Sequence, residues 1–246
     1  MKYLKKFNEN INRSEIDAIC GKYNITNYTI NDDGSIDVDG NVDLSHEKLK
    51  VLPLKFRKVS GNFECSFNKL TSLKGSPQTV GGYFYCRDNQ LTSLEGAPQS
   101  ISGYFDCNSN QLTTLEGAPQ RIGGNFNCSS NQLTSLEGVP QRVGKIFSCI
   151  NNNLKNIDYL PKYYKELFIG DNPIYKIINL FTTSNEYGMI YDNRENKDLI
   201  MDFIDAEIIQ QDKLLVNRLV EFLDDIGKPK SREELIELLK NNYTIR

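Results

Sequence analysis

Six cysteines and a single histidine are the residues of this 246-residue chain best suited to metal or nucleophilic chemistry. Five of the cysteines, Cys65, Cys86, Cys107, Cys128 and Cys149, recur at intervals of 21 residues. Metal ligation needs clustered, deprotonated sulfurs with closing ligands, and the chain has no C-x-x-C. A thiol in apolar surroundings is inert, so the ladder reads as small core residues in a reducing compartment. Ser35-x-Asp37-x-Asp39-Gly40 approaches a calcium loop, but His46 stands where a bidentate Glu must close it, which leaves turn chemistry. No Ser/His/Asp or Cys/His set assembles around His46, and the carboxylates are scattered at surface-type positions. A phosphate-cradling G-x-x-x-x-G-K-S/T is also missing. The expectation is a chain with no catalytic residue, no metal site and no cofactor.

The 21-residue step dictates the elements around those cysteines. It relates Phe63, Phe84, Phe105, Phe126 and Phe147, then Asn68, Asn89, Asn110, Asn131 and Asn152, then Leu70, Leu91, Leu112, Leu133 and Leu154. Leu73, Leu94, Leu115, Leu136 and Ile157 follow, and Pro77, Pro98, Pro119, Pro140 and Pro161 close each unit. In F-x-C, residues two apart share one side of a strand, so Phe and Cys face inward and the residue between them faces out. One unit loses on the order of 30 kcal/mol of conformational entropy on ordering, and each buried side chain returns only about 1.5–3 kcal/mol. Units must therefore stack. The inward Asn amide is placed to satisfy backbone groups at the turn. Gly75, Gly96, Gly117 and Gly138, with Gly82, Gly103 and Gly124, permit tight or positive-φ turns. The prolines suit extended backbone on the convex side, where no ladder hydrogen bond is needed. Val42, Leu44, Leu49, Leu52, Val59 and Gly61 form a divergent first unit. Leu167-Phe168-Ile169 and Asn172-Pro173-Ile174 form a last one with one residue deleted.

This pattern resembles the leucine-rich-repeat family, x-L-x-L-x-x-N-x-L, over roughly residues 42–174. The short period and the proline look most like the bacterial-effector type, and S-x-N-Q-L-T-S-L-E-G-A-P is similar to repeats of leucine-rich-repeat proteins of tailed phages. The resemblance implies an α/β-type repeat solenoid with parallel strands on its concave face, and a protein partner. Effectors with such repeats can carry a C-terminal ubiquitin-ligase domain with a catalytic cysteine, but residues 174–246 contain no cysteine.

The flanks read as caps. Residues 1–41 combine a short helix, capped at Ser14 and running through Cys20, with a hairpin of Tyr28-Thr29-Ile30 and Ile36-Asp37-Val38. Residues 175–246 read as a helical cap or small domain. Leu199, Ile200, Phe203, Ile204 and Ile208 make one stripe, and Leu215, Leu219, Phe222, Leu223 and Ile226 make a second, ended by Gly227. Ser231-Arg232-Glu233-Glu234 is a capping box for a third helix carrying Leu235, Ile236, Leu238 and Leu239. Residues 183–197 read as a loop or small hairpin. Charge splits as 5 basic against 7 acidic in 1–41, 14 against 11 in 42–173 and 10 against 14 in 174–246. These net values of −2, +3 and −4 point away from nucleic acid and from a basic membrane surface. The opening residues are too polar for a secretory signal, and no apolar run reaches membrane-spanning length. A monomeric cytoplasmic protein follows, in the host cytoplasm if phage-encoded.

Function must then lie in the outward columns, which differ from unit to unit. Tyr83, Tyr85, Arg87 and Asp88 with Tyr104 and Asp106 fall on adjacent units, and Phe67 extends the patch. Tyr and Arg are enriched at interface hot spots. The expectation is a protein-binding scaffold gripping its partner there. A structural or virion component, and an enzyme with a site among the C-terminal helices, are the alternatives.

Overall fold

The computed structural model describes residues 12–185, 188–190, 194–210 and 213–246. Residues 1–11, and with them the start of the expected N-terminal cap, lie outside the described residues. Each 21-residue turn crosses two sheets. The F-x-C strands Val42–Asp43, Phe63–Glu64, Phe84–Tyr85, Phe105–Asp106, Phe126–Asn127 and Ile146–Ser148 stack in parallel and in register, Phe63 beside Phe84 beside Phe105. Phe147 pairs with Leu167 of Glu166–Phe168, a step one residue short, where the deletion in the last unit falls. Met189–Ile190 closes this sheet antiparallel. The alternation puts every Phe and Cys of the motif inside, each 0% exposed. The Phe rings form a column with centroids 5.4–5.7 Å apart from Phe63 to Phe147.

The asparagines tie neighbouring turns together. Asn110 Nδ2 donates to the Cys86 carbonyl of the preceding turn and to Cys107 of its own, both at 3.1 Å, while its Oδ1 accepts the Leu91 N–H at 3.0 Å. Asn68, Asn89, Asn131, Asn152 and Asn172 repeat this pattern. Gly117 shows why glycine ends each Leu segment: its φ is +87°, and an added Cβ would stand 2.5 Å from the Leu94 carbonyl.

The residues after each proline depart from expectation. They do not run free of ladder bonds but build a second parallel sheet: Phe56–Val59, Thr79–Val80, Ser100–Ile101, Arg121–Ile122 and Arg142–Val143. Gln99 N–H, for example, donates to the Gln78 carbonyl at 2.8 Å. Proline itself lacks a donor, but the stacking of identical turns leaves the next residues opposite one another, where pairing satisfies their backbone.

The hairpin Tyr28–Ile30 and Ile36–Val38 joins the edge of the second sheet in front of Phe56–Val59. Helix α1, Arg13–Lys22, starts one residue before the expected cap. Asn12 forms the capping box with Glu15, because that spacing places the glutamate at the third helical position. Beyond the last turn, helices α2 (Tyr175–Phe181), α3 (Arg194–Asp205), α4 (Val216–Asp225) and α5 (Arg232–Leu239) pack on the array. Ser231 caps α5 as its motif requires, and Gly227 turns left-handed after α4. Ile208 is not on the α3 stripe. The helix stops at Asp205, and Ile209–Gln210 joins Lys213–Leu214 and Thr244–Ile245 in a small sheet. In the expected loop, Ser184 bridges to Ile190; residues 186–187 and 191–193 lie outside the described residues.

Candidate functional site

The outward side of the F-x-C sheet carries the variable columns. Its first column, the residue before each Phe, begins as a second asparagine ladder. Asn41 Oδ1 accepts the Asn62 N–H at 2.8 Å, and Asn62 Oδ1 accepts the Tyr83 N–H at 2.8 Å. Asn125 does the same for Ile146 at 3.2 Å. Glycine in the following turn makes room, since a Cβ on Gly82 would lie 2.1 Å from Asn62 Oδ1. At Tyr83 and Tyr104 this amide is replaced by a phenol that cannot reach the next N–H. Gly103 still leaves the slot, and the Tyr83 ring lies over it, its Cδ1 2.3 Å from where a Cβ would stand.

The tyrosines expected together are together. Tyr83 and Tyr85 have ring centroids 5.8 Å apart, and Tyr85 meets Tyr104 edge-to-face at 5.7 Å. Tyr83 is 46% exposed. Beside them, the Arg87 guanidinium sits 5.0 Å over the Phe67 ring. His46 stacks on the same ring at 4.5 Å and 7°. In the sequence His46 stands at the closing position of the failed calcium loop and outside any catalytic set; its place 21 residues before Phe67 is the signal that it belongs to this column. Both residues, like Asp88, occupy a turn that is left-handed in each unit, with φ of 58°, 56° and 54°. That conformation favours Asn, Asp and Gly and penalises a bulky ring. Asp88 is half-buried on this turn.

Asp106 departs from the expected exposed position, being only 4% exposed. It stands between Tyr85 and Asn127 in its column, with the Tyr104 hydroxyl close by. Asn108 donates to its Oδ1 from side chain and backbone, at 2.7 and 3.1 Å. Burial pushes the carboxyl above the usual carboxylate range, against the Asn108 bonds and the Arg87 charge. Burial likewise raises the Tyr104 and Tyr85 hydroxyls. Glu64, on the other side of Tyr85, accepts the Ser66 N–H at 3.0 Å, and the Ser66 hydroxyl is buried without a hydrogen-bond partner.

The five repeated cysteines lie elsewhere, under the sheet, and Cys20 lies in helix α1. All six are free and buried, and Cys65, Cys107 and Cys128 donate their thiols to carbonyls of the next turn at 3.3–3.4 Å. Burial pushes the repeated thiols far up. Among the described residues no group of His, Cys, Asp and Glu is placed to hold a metal ion, and no helix is long and apolar enough to cross a membrane. A cavity of about 760 Å³ opens between the last turns and the C-terminal elements, lined by Asn156, Asp158, Phe203, Asp205, Glu207 and Lys213 among others. Burial raises the Asp158 carboxyl. Among the described residues no hydrogen bond or ion pair joins two titratable side chains of that lining.

The chain is a leucine-rich-repeat-type solenoid of 21-residue turns, closed by an N-terminal helix and hairpin and by C-terminal helices. Among solved structures it is similar to the leucine-rich-repeat domain of a Shigella effector, at 23% identity and a TM-score of 0.45. That likeness covers 61% of this chain and 63% of the other, so the chain spans less than two thirds of the structure it matches. No family model and no curated protein matches the sequence.

Proposed function

We propose that the chain is a protein-binding scaffold that takes its partner on the outward side of the F-x-C sheet. The centre of the contact is Tyr83, Tyr85 and Tyr104, with Phe67, Arg87, Asp88 and Asp106 around them. The single observation behind this reading is the break in the outer asparagine ladder. At two adjacent turns the fold gives up an inter-turn hydrogen bond, keeps the glycine that would accommodate it, and sets out touching aromatic rings instead. Packing does not require that exchange, whereas exposed tyrosine is a preferred anchor for a protein partner. The repeats' resemblance to those of phage proteins makes a bacterial host protein the expected partner, met in the cytoplasm by a monomeric scaffold without a cofactor.

The test is affinity capture from extract of the native host, comparing the full chain with a Y83A/Y85A/Y104A variant. A partner lost from the variant, with its far-ultraviolet circular dichroism unchanged, supports the reading. Capture unaltered by the triple substitution would remove this site from consideration.

A further inference from the structure

Tyr85 is flanked in its own column by two carboxylates. Glu64 and Asp106 pair with it on the preceding and following strands, each about 4.8 Å away along the ladder. Tyr104 adds its ring at 5.7 Å. The outward columns of the first four turns hold Asp43, Glu64, Asp88 and Asp106 against one guanidinium, Arg87. That guanidinium leans over Phe67 of the preceding turn and forms no ion pair with Asp106, although its charge still acts on that carboxyl. Among the described residues no ammonium or guanidinium lies within 4.0 Å of either Glu64 or Asp106.

A carboxylate taken out of water is costly until a counter-charge meets it. Tyrosine faces are electronegative and attract cations, and flanking carboxylates deepen the same potential. We propose that this face receives an arginine side chain of the protein partner, its guanidinium seated on the Tyr85 ring beside Tyr104, in the stretch of the column between Glu64 and Asp106. Arginine suits the seat better than lysine, because its planar, weakly hydrated head stacks on a ring while its fork donates to carboxylates. Arg87 on Phe67 is the same mode of contact made within the chain. An acidic partner segment would meet Glu64 and Asp106 with like charge, and a purely apolar one would offer Glu64 no counter-charge. The inference rests on the reading of this face as protein-binding.

The experiment uses the full chain with ring-labelled tyrosine and follows ring resonances during titration with the peptide acetyl-Gly-Ser-Arg-Ser-Gly-amide. Versions with lysine or citrulline in place of arginine serve as comparisons. The expected result is saturable shifts at Tyr85 and Tyr104 with the arginine peptide and at least fivefold weaker binding of the citrulline peptide. A similar loss is expected in D106N and in E64Q; both keep the oxygen that accepts the local backbone N–H, and E64Q alone suffices if D106N does not fold. Equal binding of arginine and citrulline peptides, no shift with either, or unchanged affinity in the carboxylate variants overturns the proposal. Partner capture by the same variants separates the two readings. Capture lost in the tyrosine triple variant but intact in D106N and E64Q leaves a protein-binding face without an arginine seat. Capture intact in all of them removes both.

Discussion

Replacing Tyr83 by asparagine and by alanine separates what that position does for the fold from what it does for binding. Alanine removes a half-exposed ring whose contact with Tyr85, at 5.8 Å, contributes about 0.5–1.5 kcal/mol. Asparagine removes the same ring but restores the amide found at Asn41, Asn62 and Asn125. Its Oδ1 would accept the Tyr104 N–H over Gly103, as Asn62 Oδ1 accepts the Tyr83 N–H at 2.8 Å over Gly82. Such a bond at an exposed edge is worth about 0.5–1 kcal/mol. Y83N should therefore be more stable than Y83A by that amount, and melting should differ by about 2–4 °C for each kcal/mol in a chain of this size. Urea and thermal unfolding followed by circular dichroism give the difference. Amide hydrogen exchange at Tyr104 supplies the local readout and should slow only in Y83N. Both variants should lose the captured partner to the same degree. If Y83N is no more stable than Y83A, and the Tyr104 amide exchanges equally fast in both, the outer ladder is not a stabilising device and the reasoning from its interruption fails.

N110A leaves the buried Leu91 N–H without its acceptor, while the Cys86 and Cys107 carbonyls keep Asn89 and Asn131. A loss of about 1–3 kcal/mol is expected in urea unfolding, with faster exchange at the Leu91 amide, and a loss below about 0.5 kcal/mol would count against the inner ladder. Asp106 has its carboxyl raised from 3.8 in the folded chain, so the folded state holds its proton more tightly than the unfolded one. Stability from this group is full below the unfolded value, near pH 4, and is lost as pH rises through the folded one. D106N, which keeps the acceptor for Asn108, should gain on the wild type as pH rises above about 4 in parallel melts; a pH-independent difference would contradict the assignment. The buried thiols, pushed far up by desolvation, should react with iodoacetamide only at the rate of unfolding. Stoichiometric labelling in native buffer would show an exposed or activated cysteine.

The turn of the solenoid was legible in the residues themselves. Phe, Cys, Asn and Leu recur at fixed offsets, and strand alternation leaves only one way for Phe105 and Cys107 to face the same side. The capping boxes at the two ends are local chemistry of the same kind, although the first begins at Asn12 rather than Ser14 because helix start and glutamate spacing must agree. The second sheet was not legible. Thr79–Val80 and Ser100–Ile101 are two-residue strands, too short for a period of their own, and they exist because stacked turns bring them opposite one another. Helix α2 and the small C-terminal sheet escaped for the same reason of length. At the candidate site, sequence assigned the tyrosines to neighbouring outward positions, which backbone geometry alone dictates. Only the tertiary structure decided that Asp106 is covered, that Arg87 turns to Phe67 rather than to Asp106, and that His46 completes that stack. Those outcomes depend on side-chain rotamers and on neighbours one turn away, and a repeat period fixes where a side chain starts but not where it ends.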